Sequence, residues 1–177
     1  MLFQFRACRS DGSEVTVKPD GFLKLWQEEE GQRYEHALFL EVDRSNESQE
    51  VLAEKVACYA DFYRSGGFSV RHGASRADYA SYPFRVLMVF PTAEGRNNAA
   101  ARLLANNPPI RTLCWLTTMA EVIENPLGAV WVRPADFAKA VEGTLFAVDG
   151  QTAFSNYRLQ IERETLVDER VEKVALN

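Results

Sequence analysis

Histidine is scarce in this chain. Two histidines, His36 and His72, stand among 177 residues. That argues against a histidine-rich metal site and against a Ser-His-Asp hydrolase. His36 could serve as the base of a triad, but a place at a strand edge accounts for it better. The three cysteines, Cys8, Cys58 and Cys114, include no C-x-x-C pair. Their odd count and wide spacing argue against a disulfide framework or a zinc cluster, and their apolar settings read as buried reduced thiols. Long hydrophobic runs are missing too. The run Val86 to Phe90 is far too short to cross a bilayer. Met1-Leu2-Phe3-Gln4-Phe5-Arg6 lacks the apolar stretch and small-residue cleavage site of a signal peptide. A cytoplasmic location without membrane contact is therefore expected. No glycine-rich phosphate loop, internal repeat or low-complexity tract occurs, which counts against a nucleotide-cofactor enzyme. Positive charge is not in excess, since the net charge is -5. A protein that binds nucleic acid over its whole surface is disfavoured, but a local basic patch beside an acidic metal site is not.

What remains is an ordinary apolar share of 46%, enough for a real core, in a length that suits one domain. We read residues 1–177 as a single α/β domain, with a core of about 1–132 and a C-terminal extension from 133. Met1 to Cys8 alternates as a strand, Asp11-Gly12-Ser13 marks a hairpin turn, and Glu14 to Val17 returns. Pro19-Asp20-Gly21 interrupts the chain, implying a bulge or an edge, before Phe22 to Trp26 resumes it. Gln27 to Tyr34 reads as a polar loop. Ala37-Leu38-Phe39-Leu40 reads as a strand covered on both faces and ends in Glu41-Val42-Asp43. A helix is predicted over Asn46 to Ser65, burying Val51, Leu52, Val56, Tyr59 and Phe62. Phe68 to Pro83 reads as a long loop. Strands follow at Phe84 to Phe90 and Thr112 to Leu116, with helices from Pro91-Thr92 to about Ala105 and from Thr118 to Glu124. A short strand is expected at Ala129 to Val132, another at Tyr157 to Glu162, and a charged tail beyond. The alternation predicts a mixed sheet: antiparallel hairpin strands at the N-terminus, then central parallel strands joined by helices.

Chemistry concentrates in one acidic group. Glu41 and Asp43 are two apart on one strand, so they share a face at its carboxyl end, where α/β sheets form sites. Asp20 approaches them if its strand pairs with theirs. Three converging carboxylates repel unless a cation neutralises them, and hard oxygen ligands suit Mg²⁺ or Mn²⁺. The alternative is structural: Asp43 caps the following helix, and Glu41 pairs with Arg44 or Lys24.

The order of Pro19-Asp20, Glu41-x-Asp43 and a helix carrying Lys55-x-x-x-Tyr59 resembles the core of PD-(D/E)xK nucleases. More closely, Lys18-Pro19-Asp20-Gly21-Phe22, the block Phe39 to Ser48 (Phe-Leu-Glu-Val-Asp-Arg-Ser-Asn-Glu-Ser), Lys55-x-x-x-Tyr59, Arg85 to Thr92 and Trp115-Leu116-Thr117-Thr118 resemble the replication-relaxation family of bacterial plasmids and mobile elements. The resemblance covers about residues 14–132. It implies a nuclease-like fold, with Asp20, Glu41 and Asp43 as metal ligands and Lys55 positioning water or stabilising developing charge. Tyr59 and Arg44 would be supporting residues. One departure is chemical: Asp43 stands where the nuclease superfamily has lysine. Lys55, or else Lys24, would then stand in. The other is modular. The family's winged helix-turn-helix has no counterpart here, so a protein partner supplying the DNA-reading module is expected.

Between Arg64 and Arg85 lie Arg71, His72, Arg76, Tyr79 and Tyr82 with one acid, Asp78. Basic residues interleaved with aromatics suit phosphate contact and base stacking, and Arg64, Arg71 and Arg76 are the candidate nucleic-acid contacts; a plain solvated loop is the other reading. Two functions stand together: a DNA-associated mobile-element protein with Mg²⁺-dependent endonuclease or nickase chemistry, or an inactive nuclease-fold module that binds DNA or a protein.

Overall fold

Local signals set the elements, and their apolar faces set the packing. The computed structural model describes residues 3–9, 11–29, 31–44 and 47–137. A two-stranded hairpin opens the chain: β1 (Phe5–Cys8) and β2 (Glu14–Val17), paired antiparallel. Its turn is held by Asp11, which accepts from the backbone and hydroxyl of Ser13. A four-stranded sheet follows in the order β3-β4-β5-β6. β3 (Gly21–Glu29) runs antiparallel to β4 (Gln32–Val42), whereas β5 (Phe84–Phe90) and β6 (Cys114–Thr118) run parallel to it. Helix α1 (Gln49–Arg64) connects toward β5 through a short α2 (Gly67–Arg71) and a 3-10 turn at Arg76–Ser81. α3 (Ala93–Leu104) links β5 to β6, and α4 (Met119–Glu124) leaves β6. The mixed sheet expected from the sequence is thus present.

α1 forms because Leu52, Ala53, Val56, Tyr59 and Ala60 recur at helical spacing and all are buried. Ser48 caps it, its hydroxyl accepting from Val51 N–H, and Glu50 and Arg64 suit the two ends of the dipole. It stops at Gly66, which has φ +70, and a Cβ there would run into the Arg76 backbone. The core lies between α1, the hairpin and one face of the sheet. Phe39 is its centre: fully buried, with the rings of Phe3, Phe22, Phe84 and Tyr59 at centroid distances of 4.7, 5.0, 4.9 and 5.3 Å. Phe5 stacks on Phe62 at 4.1 Å, which ties β1 to α1.

Several expectations change. Gln27 to Tyr34 is not a loop: β3 and β4 extend to a tight turn at Gly31, whose φ of +75 glycine alone adopts cheaply. Phe68 to Pro83 holds α2 and the 3-10 turn, because Phe68 packs into the core and a Ser75–Asp78 capping box starts the turn. Val51 is 49% exposed, since it falls on the outer side of α1. Only an isolated bridge, Leu116 to Val132, forms where a strand was expected at Ala129 to Val132. The strand expected at Tyr157 to Glu162 and the charged tail lie outside the described residues. No described helix is long and apolar enough to cross a membrane.

Candidate functional site

The antiparallel register of β3 and β4 pairs Gly21 with Leu40, so Asp20 enters β3 opposite the point where β4 reaches Glu41. Asp20 is exposed, and its Oδ2 accepts from Val42 N–H at 2.8 Å. This bond clips the chain crossing between the two sheets onto the carboxyl end of β4. Glu41 itself is 3% exposed, on the face of β4 that α1 covers. One turn apart on α1, Lys55 and Tyr59 both reach it. Lys55 Nζ lies 2.5 Å from Glu41 Oε2, and the Tyr59 hydroxyl donates to Glu41 Oε1.

The electrostatics follow from burial and charge. Burial pushes the Glu41 carboxyl above its ordinary range, opposed by the hydrogen bonds from Lys55 and Tyr59 and the Lys55 charge, while Asp20 adds to the rise. Burial would lower the Lys55 ammonium, but the Glu41 contact outweighs it, with help from Glu47 and Asp20, and its pKa is raised. The Tyr59 hydroxyl is pushed far up by burial and by the Glu41 charge, so it stays a donor. The arrangement holds a buried carboxylate, a fixed proton donor and an ammonium ion beside a more exposed second carboxylate.

Asp20, Glu41, Lys55 and Tyr59 are therefore brought together. Asp43 lies just past the end of β4, half-buried, with its N–H bonded to Val89 O at 2.9 Å. It does not cap α1, a role that Ser48 takes. Among the described residues, no group of three or more His, Cys, Asp or Glu side chains is placed to hold a metal ion. Arg44 is exposed. Neither Arg44 nor Lys24 supplies the cation expected at Glu41: Lys55 does, and Lys24 pairs with Glu35 at 2.6 Å farther along the hairpin.

The three candidate arginines sit apart from this cluster. Arg64 is exposed and borders a groove between α1 and α3 with Arg9, Arg102, Glu50, Glu54 and Asp61. Arg71 donates to Gln4 O at 2.6 Å and lies 3.9 Å over the Phe3 ring. Arg76 donates to Ser65 O at 2.8 Å. Both guanidinium groups thus serve the chain's own packing. Arg71→Ala is expected to cost about 1 kcal/mol in a denaturant melt. Replacing Arg71 and Arg76 together is expected to leave the salt slope of any DNA binding unchanged; a flatter slope would return them to a nucleic-acid interface.

Sequence reasoning missed a second polar network at the ends of β5 and β6. Arg96, 8% exposed, pairs with Glu121 at 3.0 Å, and Glu121 also accepts from the Thr118 hydroxyl and N–H. The Thr118 cap of α4 was expected from its place after a strand, and the Thr118-x-x-Glu121 spacing is its capping-box signal; Arg96 carries no local signal.

A family model described as Replication-relaxation matches residues 4–76, which run from β1 through α1 and include Asp20, Glu41, Asp43, Lys55 and Tyr59. No curated protein and no solved structure matches the chain.

Proposed function

We propose, from that likeness, that this protein acts on or beside DNA in the replication or relaxation of a plasmid or other mobile element, with a nuclease-like site built on Asp20, Glu41 and Lys55. The observation that carries the reading is the convergence of Lys55 and Tyr59 on buried Glu41, beside Asp20 at the carboxyl end of β4. Two carboxylates fit a Mg²⁺ or Mn²⁺ ion, which keeps several waters and needs one or two such ligands. Such an ion, when bound, would polarise a phosphate oxygen and lower the pKa of a bound water. Lys55 would then move from neutralising Glu41 to stabilising charge on the phosphate. Tyr59, which stays protonated, would hold Glu41 in one rotamer. Asp43 is the third ligand in this reading if its carboxylate turns toward Asp20.

A second reading has its own support. Lys55 already neutralises Glu41, and Asp43 stands where the nuclease superfamily has lysine. On that reading the fold is an inactive module that binds DNA or a protein partner supplying the DNA-reading part.

Thermal melting with increasing Mg²⁺ or Mn²⁺, run beside a supercoiled-plasmid nicking assay, separates the two. The metal site predicts a rise in melting temperature worth about 2.7 kcal/mol at a hundredfold excess over Kd, abolished in Asp20→Ala and Glu41→Ala. Nicking that disappears in Asp20→Ala, Glu41→Ala and Lys55→Ala would mark an enzyme. A metal response without nicking favours the module, and no response at all removes the metal site.

A further inference from the structure

Arg96 is a buried cation that the proposed chemistry does not use. It lies one turn into α3, which Thr92 caps just past the end of β5, and it is 8% exposed. Its guanidinium is fixed on two sides. Nε donates to Asn97 Oδ1 at 3.2 Å, and Nη1 donates to both oxygens of Glu121, at 3.0 and 3.3 Å. The Phe137 ring centre lies 5.7 Å from it. Nη2 has no partner among the described residues and is not sealed from solvent. Burying a guanidinium is costly, and a donor edge left unused adds to the cost. Glu121 is itself well occupied, since it also accepts from the Thr117 hydroxyl and from the Thr118 hydroxyl and N–H.

We propose that Arg96 binds a phosphate of the DNA backbone through Nη2, beside the acidic site. This rests on the reading of Asp20, Glu41 and Lys55 as a nuclease-like centre, and adds to it a residue that holds the strand. Arg96 and Glu41 stand at the same end of the sheet, the carboxyl end, where α/β folds bind ligands. The Asp43 N–H bonds to Val89 O, which sets the end of β4 against the end of β5 just before α3 begins. Two strand spacings, about 10 Å, separate β4 from β6, whose end carries the partner of Arg96. Each DNA strand rises roughly 3.4 Å per nucleotide, so the contact falls on a phosphate a few nucleotides from the reacting one. A guanidinium already locked by Glu121 and Asn97 loses little freedom on binding, and its planar fork suits phosphate oxygens. The Glu121 carboxylate repels the same phosphate, so it limits the affinity of the contact.

Anisotropy of a fluorescent DNA duplex, titrated with the full chain over a range of salt, tests this. Glu121→Gln keeps an acceptor for Nη1 and Thr118 but removes a negative charge beside the phosphate, so binding should tighten severalfold. Arg96→Met combined with Glu121→Gln removes both charges and leaves the net charge at -5. It replaces a buried pair by neutral groups, so no orphan ion opposes folding. Its binding should fall roughly tenfold, the loss of one charge-assisted contact. Its salt slope should flatten by about 0.9, the share of one phosphate. Thermal melts of both variants are the folding control. A purely structural pair predicts unmodified affinity and slope in both variants, and that result overturns the proposal while leaving the acidic site in place. Should the double variant fail to fold, Glu121→Gln alone decides: tighter binding upholds the proposal, and unchanged or weaker binding overturns it. An unmodified chain that binds no DNA overturns the nuclease-like reading and this proposal with it.

Discussion

Phe39→Ala is expected to cost about 3–5 kcal/mol, among the largest single losses available in this fold. The side chain is fully buried at the middle of β4, and its ring meets those of Phe3, Phe22, Tyr59, Phe68 and Phe84. Those rings come from the N-terminal segment, β3, α1, α2 and β5, so no single element can shift to fill the space. For a chain of this size the loss corresponds to a fall in melting temperature of roughly 10 °C. Phe39→Leu keeps much of the volume and should cost clearly less. Thermal denaturation of both variants checks the point. An equal and small loss in each would mean that the aromatic cluster is loosely packed. The effect should also reach function, because Glu41 is two residues along β4 and Tyr59 packs on the Phe39 ring. A cavity there loosens the support of the acidic site without touching its charges.

Much of this architecture was legible because its signals are local. Ala37 to Leu40 and Phe84 to Phe90 are continuous apolar runs, and buried parallel strands look like that. Leu52, Val56, Tyr59 and Phe62 repeat at helical spacing behind a serine cap. The errors fall where local composition and tertiary setting disagree. Gln27 to Tyr34 is polar, but a hairpin edge needs no buried face, and Gly31 supplies the positive φ of the turn. Phe68 to Pro83 lacks periodicity over any useful window, yet one buried ring, Phe68, and one capping box are enough to order it. Val51 fits the helical spacing only loosely and ends up on the solvent side. At the site, the closeness of Asp20 and Glu41 followed from reading the two strands as a hairpin. Lys55 and Tyr59 were set at the same site by the resemblance alone, because nothing local says which turn of α1 faces the end of β4. That depends on the crossing of α1 over the sheet, which Phe5, Phe39 and Phe62 decide together.

Lys55→Ala should be strongly destabilising, at about 3 kcal/mol near neutral pH. It leaves the Glu41 carboxylate buried without its cation, and one hydrogen bond from Tyr59 cannot replace a charge. The figure sits at the low end of the range for broken buried pairs because the Lys55 side chain is 28% exposed. Glu41→Gln should cost less, about 1 kcal/mol: the amide oxygen still accepts from Tyr59, and the freed ammonium can turn toward water. A double variant, Lys55→Met with Glu41→Gln, should lose less than the two single losses added together. The pH dependence separates charge from packing. The Glu41 carboxyl is already raised by burial, and without Lys55 two of the effects holding it down disappear. Such a group binds more protons folded than unfolded, so stability falls as pH rises through the window from the ordinary glutamate value, roughly 4.3, up to the folded value. Acidification below that window therefore repairs the variant. At the other end the unmodified chain loses its advantage: Lys55 is raised by its pairing, so its contribution is full below the ordinary lysine value, roughly 10.4, and fades as pH rises through the folded value. The stability gap between the two chains should thus be widest at intermediate pH and close toward both extremes. Denaturant melts across that range measure it. A gap that stays constant from acid to alkali, and is largely restored by Lys55→Met, would mean that Lys55 acts through its hydrocarbon stem and not through the Glu41 charge.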